Sequence, residues 1–409
     1  NMKNICCILL ALPLFGLSQN LSQNDRSIVA GTKKIIHSAI LKEDREVWVY
    51  IPASFAAGSQ THYPVMYLLD GPSFFHPVTG MVQYLSSTGK MPEMIVVGIA
   101  NTNRVRDLTP THSIRWSDGE EDAAALGFSG GGEKFISFIE HELIPYVDAV
   151  YKTAPYRMFV GHSLGGLTVL NSLLNHTSLF TSYVAIDPSV WWDNQALMKK
   201  AAQLLPNKDL GNKSLYYASA NTMSKSIDTF LVMQDTTRGN IHVRNNLQFR
   251  QLLLERKNSS LLWRWKFYPE DNHSSIPLIA TYDALRYLFK GYELDKDMND
   301  TSITVDYIKT HYLTVSRLLH YKVLPSQATV NFLGYNFLSG KNYSKAHRFF
   351  SLNLENFPSS ANAYDSMGDF YLEIKDKKKA AEMYLKALSL EELPSTRKKL
   401  EQLKLNERR

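Results

Sequence analysis

The segment Gly161-His-Ser-Leu-Gly165 constrains the fold more than any other part of this sequence. It comes directly after a short apolar run at residues 158–160, and it is followed by Gly166 and a stretch of small and apolar residues with helical character. G-x-S-x-G between a strand and a helix is typical of a tight turn that lifts the serine above the edge of a sheet, where glycines leave room for a strained backbone. We therefore predict that Ser163 is a nucleophile at a helix N-terminus, with the backbone N–H of Leu164 as one half of an oxyanion hole.

Apolar runs alternate with helical patterns through the first part of the chain. Residues 65–69 and 94–99 are continuous apolar runs bounded by turn residues, which is typical of strands buried on both faces of a parallel sheet. Residues 135–151 have apolar side chains at helical spacing, and residues 262–268 and 278–292 predict a last strand and a closing helix. This alternation predicts an α/β fold with a doubly wound, mostly parallel sheet.

His273 is the predicted base for Ser163. In folds of this kind the base follows the last strand, and residues 268–277 place His273 between the predicted last strand and the closing helix. A neutral imidazole at this position can accept the serine proton and return it to the leaving alcohol. Other histidines, such as His242 and His112 in predicted loops, do not occupy this position.

The carboxylate that would orient His273 is not decided by the sequence. The usual place is directly after the strand before the last one, here residues 215–218, yet the next nine residues contain no Asp or Glu. We prefer Asp235, which a looping segment can bring into reach, and we keep Asp228 and Asp187 as alternatives. A Ser–His pair without an acid is a further alternative.

The turn after residues 65–69 is the predicted source of the second oxyanion-hole donor. Pro72 has no N–H, so the backbone N–H would come from Gly71 or Ser73, and we prefer Gly71. A tight turn without a catalytic part is the alternative.

Two clusters at the same predicted edge of the sheet are candidates for substrate binding. Trp191 or Trp192 could stack on a ring, and we prefer Trp191. Arg104 or Arg106 could hold a carboxylate or a catecholate, and we prefer Arg106. Core packing of the tryptophans and an Arg–Asp pair that pins a loop are the alternatives.

Residues 1–18 have the composition of a secretory signal peptide. A basic start at Lys3 precedes an apolar run at residues 5–14, and small residues stand before a cleavage position ahead of Gln19. We predict a periplasmic or extracellular protein in which residues 19–32 form a polar leader. A buried N-terminal strand or helix is the alternative, since the apolar run is too short to span a bilayer.

The two cysteines, Cys6 and Cys7, both lie inside this segment. A chain cleaved after residue 18 would have no disulfide, no thiol nucleophile and no cysteine-ligated zinc, so its chemistry would use oxygen and nitrogen side chains. The net charge of +6 is spread along the chain and does not form the dense basic stripe that is typical of nucleic-acid binding. We therefore predict no nucleic-acid partner and no membrane span.

A repeat of helical segments begins after residue 293. Gly334 and Gly368 are 34 positions apart, and the same interval separates Ala346 from Ala380. The interval and the residue types resemble tetratricopeptide repeats, each of which is a pair of antiparallel helices. We predict a small all-α, tetratricopeptide-like domain at residues 294–409, with an unrelated helical bundle as the alternative.

Several segments resemble the Putative esterase family, among them YPVMYLLDG, FVGHSLGG, AIDPSVWWDN and PEDNHSSIPLIATYDALRYLF. This family includes the enterobactin- and salmochelin-type siderophore esterases and is related to S-formylglutathione hydrolases and feruloyl-type esterases. The resemblance covers residues 33–293 and implies an α/β-hydrolase fold that cleaves carboxylic esters without a metal or another cofactor. Ser163 and His273 match the family's nucleophile and base, and the turn at Gly71 matches an oxyanion segment.

These observations predict an exported serine carboxylic-ester hydrolase that acts through an acyl-enzyme on a small-molecule or glycan-linked ester. A siderophore tri-lactone esterase is a narrower alternative, although the repeat tail is not part of the siderophore esterase core. An inert hydrolase-fold scaffold is an alternative of another class, in which the helical tail would bind a protein partner or self-associate. A cytosolic thioesterase or formylglutathione hydrolase is disfavoured by the predicted signal peptide.

Overall fold

A computed structural model describes residues 28–55, 61–223, 228–256 and 260–407. The predicted signal peptide at residues 1–18 lies outside the described residues, as does most of the predicted leader. Among the described helices, none combines the length and the apolar character that a membrane crossing requires.

Eight strands of the described residues form one sheet in the order β1-β2-β4-β3-β5-β6-β7-β8. The strands are β1 Thr32–Ser38, β2 Glu43–Tyr50, β3 Tyr63–Leu68, β4 Ile95–Ile99, β5 Thr153–His162, β6 Ser182–Ile186, β7 Ser214–Ala220 and β8 Leu262–Tyr268. The pairs β1–β2 and β2–β4 are antiparallel, and all other neighbours are parallel. The predicted doubly wound, mostly parallel sheet is therefore confirmed.

Helices cover both faces of this sheet. They are α1 Gly71–Ser87, α2 Arg104–Leu108, α3 Ala123–Leu126, α4 Gly132–Phe138, α5 Ile144–Val150, α6 Leu164–Asn175, α7 Trp192–Leu204, α8 Ile241–Leu254 and α9 Ile276–Leu288. In β3, Val65 and Tyr67 face the core cluster that includes α6, whereas Met66 and Leu68 face the cluster that includes α1 and α9. Burial on both faces explains why this strand is a continuous apolar run.

The C-terminal region is all-helical, as predicted. Its helices are α10 Val305–Leu319, α11 Gln327–Ser339, α12 Tyr343–Asn356, α13 Ala361–Glu373, α14 Lys377–Leu390 and α15 Pro394–Glu407. A Cβ atom on Gly334 would lie 2.6 Å from the ring of Phe350, and one on Gly368 would collide with the ring of Tyr384. The repeated glycines therefore let α11 approach α12 and α13 approach α14 closely. The likeness to tetratricopeptide repeats stays a prediction.

Helix α10 attaches this tail to the amino-terminal ends of the parallel strands. Val315 and Leu319 are buried in the same core cluster as Phe289, which follows α9. The ring centroid of Phe289 lies 5.6 Å from that of Tyr156, which is near the start of β5. The tail therefore lies at the edge of the sheet opposite to the carboxyl end of β5, where Ser163 follows.

Candidate active site

Ser163 lies in a strained turn between β5 and α6. Its backbone has φ 60° and ψ −118°, a combination that a residue other than glycine rarely adopts. A Cβ atom on Gly161 would collide with the backbone of Gly165, and one on Gly166 would lie 2.9 Å from Pro188. Close approach of the backbone thus explains the glycines of the motif, and the turn places Ser163 at the N-terminus of α6.

A chain of hydrogen bonds runs from Ser163 through His273 to Asp187. The Nε2 atom of His273 is 3.0 Å from the Oγ atom of Ser163, and its Nδ1 atom is 2.6 Å from Oδ2 of Asp187. His273 lies in the loop between β8 and α9, in the predicted chain order. Asp187 is fully buried and directly follows β6.

Asp235, the acid preferred from the sequence, does not lie against His273 in the structure. Its carboxylate instead accepts hydrogen bonds from the hydroxyl of Thr237 and the amide of Asn240, both at 2.5 Å. The alternative Asp228 accepts from the backbone N–H groups of two residues that follow it. The prediction that Asp235 orients His273 is therefore wrong, because the carboxylates of Asp235 and Asp228 each stabilise a local turn instead.

The position beside His273 belongs to Asp187, the third alternative from the sequence. Strand β6 pairs directly with β5, so the residue after β6 lies next to the turn that holds Ser163. Asp187 has φ 40°, and its backbone N–H donates to the carbonyl oxygen of Ala218 in β7. Asp187 directly follows β6, the neighbour of the strand that leads to Ser163. This position in the sequence is the signal that would have identified Asp187 as the acid.

Three N–H groups surround the carboxylate of Asp187. The backbone N–H of Ala220 donates to Oδ1 at 3.0 Å, and Oδ2 is shared by His273 and by Nε2 of His242 at 2.9 Å. Burial alone would raise the pKa of Asp187, but the two imidazoles hold it well below its usual range. Potential ligating atoms of these three side chains lie within 4.8 Å of one another, and their mutual hydrogen bonds account for this proximity.

The N–H groups of Leu164 and Gly71 are both at helix N-termini. Leu164 is the first residue of α6, where the first-turn N–H groups have no intrahelical acceptor. Gly71 is the first residue of α1, and a Cβ atom there would lie 2.7 Å from the backbone of Gly98. The N–H of Ser73 donates to the carbonyl oxygen of Asp70 at 3.0 Å, which leaves Gly71 as the available donor of the two predicted from the sequence.

Arg104 connects the turn before Gly71 to the turn before Ser163 through hydrogen bonds. Its Nε atom donates to Oδ1 of Asp70 at 2.7 Å, and its Nη2 atom is 3.1 Å from Oδ2 of the same carboxylate and 3.3 Å from the carbonyl oxygen of His162. Asp70 itself has a left-handed backbone with φ 54°. Arg104 therefore pins a loop, which was the alternative to substrate binding.

Arg106, the preferred substrate cation, also has protein partners. Its guanidinium donates to Glu43 of β2 and, at 2.7 Å, to Asp107. Asp107 also binds the fully buried Arg45 at 2.6 Å. This network satisfies Arg106 and fixes the segment after β4, so the structure corrects the prediction that Arg106 meets the substrate.

Trp191 lines a pocket of about 420 Å³, and its role in substrate binding stays a prediction. Arg115, Trp116 and Asn194 contribute to the same wall. The indole N–H of Trp191 donates to Nδ1 of His242 at 3.0 Å, which connects this pocket to Asp187. Trp192, by contrast, is fully buried, and its N–H donates to a backbone carbonyl oxygen.

A larger cavity of about 720 Å³ lies where the tail meets the end of α1. Met91, Tyr292 and Met298 are among its lining residues, and none of Ser163, His273 and Asp187 is. The pocket at Trp191 is not lined by these three side chains either, and its link to them is the hydrogen-bonded chain from Trp191 through His242 to Asp187.

His162 makes the stability of this region depend on pH. Burial and, second to it, the nearby His273 lower the pKa of His162 to about 4. An unfolded histidine titrates near 6.5, so between these values the unfolded chain binds more protons and the free energy of unfolding falls as the pH falls. The lowered pKa of His162 therefore makes the free energy of unfolding about 3 kcal/mol smaller at pH 4 than at pH 7.

We expect a His162→Gln variant to lose less stability than the native chain between pH 7 and pH 5. The difference should be about 2 kcal/mol, because only the native chain has the depressed histidine pKa. Urea unfolding of both proteins at the two pH values measures it. Equal losses would show that His162 is not the group responsible.

Fold and site together define an α/β hydrolase with a serine nucleophile turn. The model of the Putative esterase family matches residues 38–274, and the chain belongs to this family. The ferri-bacillibactin esterase BesA of Bacillus subtilis is 33% identical over 171 residues, which are 39% of this chain and 58% of that protein. The apo-salmochelin esterase of Escherichia coli is 29% identical over 167 residues, 39% of this chain and 51% of that protein. The chain thus spans about half the length of these curated relatives.

Two solved structures extend the comparison beyond the matched segment. An IroE-like serine hydrolase from Shewanella oneidensis is 30% identical, with a TM-score of 0.68 over 80% of this chain and 99% of that chain. An uncharacterised protein from Capnocytophaga ochracea is 18% identical, with a TM-score of 0.59 over 91% of this chain and 99% of that chain. The second likeness concerns the fold alone.

Proposed function

We propose that the chain is an exported serine carboxylic-ester hydrolase that acts through an acyl-enzyme. The observation that carries this proposal is the hydrogen-bonded chain from Ser163 through His273 to the buried Asp187. The order of these atoms is what nucleophilic catalysis by a serine requires, since an alcohol is a weak nucleophile until a base takes its proton.

The geometry supports a two-step mechanism. His273 accepts the proton of Ser163 through Nε2 as the hydroxyl oxygen attacks the ester carbonyl carbon, and Asp187 stabilises the imidazolium that results. The N–H groups of Leu164 and Gly71 donate to the oxyanion. The imidazolium then returns its proton to the leaving alcohol, which gives the acyl-enzyme, and a water molecule activated by His273 releases the acid.

We propose aromatic esters as the substrate class. The pocket that Trp191 and His242 link to Asp187 has two indole rings, Trp191 and Trp116, and the exposed guanidinium of Arg115, which pairs with Glu121. Flat rings with hydroxyl or carboxylate substituents fit such a wall through stacking and charge-assisted hydrogen bonds. A siderophore tri-lactone is the narrower proposal, and the names of the curated relatives favour it.

Ester hydrolysis by the purified chain tests this proposal. We expect turnover of ethyl acetate, of a feruloyl ester and of a tri-catechol lactone, with kcat/KM at least about tenfold higher for the two substrates that carry an aromatic ring, because a buried ring contributes binding energy. Equal values for all three would remove the aromatic specificity. No hydrolysis of any of them would overturn the proposed activity.

A further inference from the structure

Asp187 is held by a second histidine that the mechanism above does not use. His242, the second residue of α8, has Nε2 at 2.9 Å from Oδ2 of Asp187, and its side chain is 15% exposed. The same oxygen accepts from His273, and the rings of the two histidines meet edge to face with centroids 4.9 Å apart. His242 therefore touches both members of the pair that supports Ser163.

The hydrogen bond from Trp191 fixes the tautomer of His242. An indole N–H can only donate, so Nδ1 of His242, 3.0 Å away, must be an acceptor without a proton. The imidazole then has its proton on Nε2 and donates it to Asp187. His242 is thus neutral in this arrangement, and the charge of the carboxylate stays available to His273.

We propose that His242 is a positioning residue of the active site, which holds the carboxylate of Asp187 in the orientation that aligns His273. This inference rests on the proposed function. The backbone N–H of Ala220 donates to Oδ1, and His242 donates to Oδ2, the oxygen that also accepts from His273. Without His242 a fully buried carboxylate would lose one of its three donors and would be held less firmly against rotation about its Cβ–Cγ bond.

Two substitutions at position 242 distinguish a role in positioning Asp187 from a role in core packing alone. His242→Leu removes both hydrogen bonds, whereas His242→Gln keeps an amide N–H group close to the position of Nε2. We expect kcat to fall about 10- to 100-fold in His242→Leu with KM changed less than about twofold, because a hydrogen bond to a buried charged group is lost. The Gln variant should recover kcat to within about fivefold of the native chain.

His176→Gln is the matched control, since His176 also meets a carboxylate, with Nε2 2.8 Å from Glu133, but at the far end of α6. It should leave kcat unchanged. Equal losses in the Leu and Gln variants of His242, or native kcat in His242→Leu, would overturn the positioning role.

The tautomer is tested independently of turnover. Nitrogen-15 spectra of the native chain at pH 7.5 should show His242 as the neutral Nε2–H form, and Trp191→Phe should weaken this preference because it removes the indole N–H that donates to Nδ1. A cationic His242, or an Nδ1–H form, would overturn the inference. If the native chain hydrolyses no ester while the spectra show the expected tautomer, the proposed function fails and the hydrogen-bond assignment stands.

Discussion

Alanine at position 163 is expected to lower kcat/KM for ester hydrolysis at least about 10⁴-fold, since no other described side chain lies within hydrogen-bond reach of His273 Nε2 to replace the lost nucleophile. Background turnover from the oxyanion-hole donors and from substrate binding should remain. Steady-state rates with a p-nitrophenyl ester, together with labelling by a serine-directed phosphonate, measure both effects.

Ser189→Ala is the matched control for this variant. Ser189 is buried, and its Oγ atom is 3.2 Å from that of Ser163, but it is not the serine oxygen in contact with His273. We expect it to keep kcat within about tenfold, as befits the loss of one hydrogen bond. If Ser163→Ala retained native turnover, the assignment of Ser163 as the nucleophile would be wrong.

Asn at position 187 is expected to lower kcat about 10⁴-fold without a comparable rise in KM. The carboxamide is nearly the same size as the carboxylate, so the fold should persist. Its NH₂ group can donate to Nδ1 of His273 and thereby favour the tautomer with a proton on Nε2, which cannot accept the proton of Ser163. The variant also lacks the negative charge that stabilises the imidazolium.

Asp235→Asn gives the decisive comparison, because it is the same chemical change at the acid that the sequence favoured. Asp235 is held in a surface turn by Thr237 and Asn240, and we expect less than a twofold change in kcat. A large loss in Asp235→Asn with a native rate in Asp187→Asn would reverse the assignment of the acid.

The sheet and the nucleophile turn were predictable because local physics fixes them. Strands buried on both faces must be continuously apolar, as β3 and β4 are. The Ser163 turn needs glycine wherever its backbone approaches a neighbour, and the sequence has glycine at those positions. His273 followed from chain order, which the fold imposes.

The partner of His273 and the role of Arg106 could not be predicted from local sequence, because both depend on contacts between residues that are far apart in the chain. Asp187 reaches His273 because β6 lies beside β5, a fact of strand order. Arg106 is satisfied by Glu43, 63 residues earlier in the chain, so its isolated cationic character in the sequence was misleading. His242, predicted in a loop, lies in α8 and faces Asp187.

The attachment of the tail through α10 has a consequence for access to Ser163. Because Val315 and Leu319 of α10 pack in the same core cluster as Phe289, whose ring meets Tyr156 near the start of β5, α10 and Ser163 lie towards opposite ends of that strand. We therefore expect a partner that binds α10 and the tail to leave ester turnover at Ser163 unchanged.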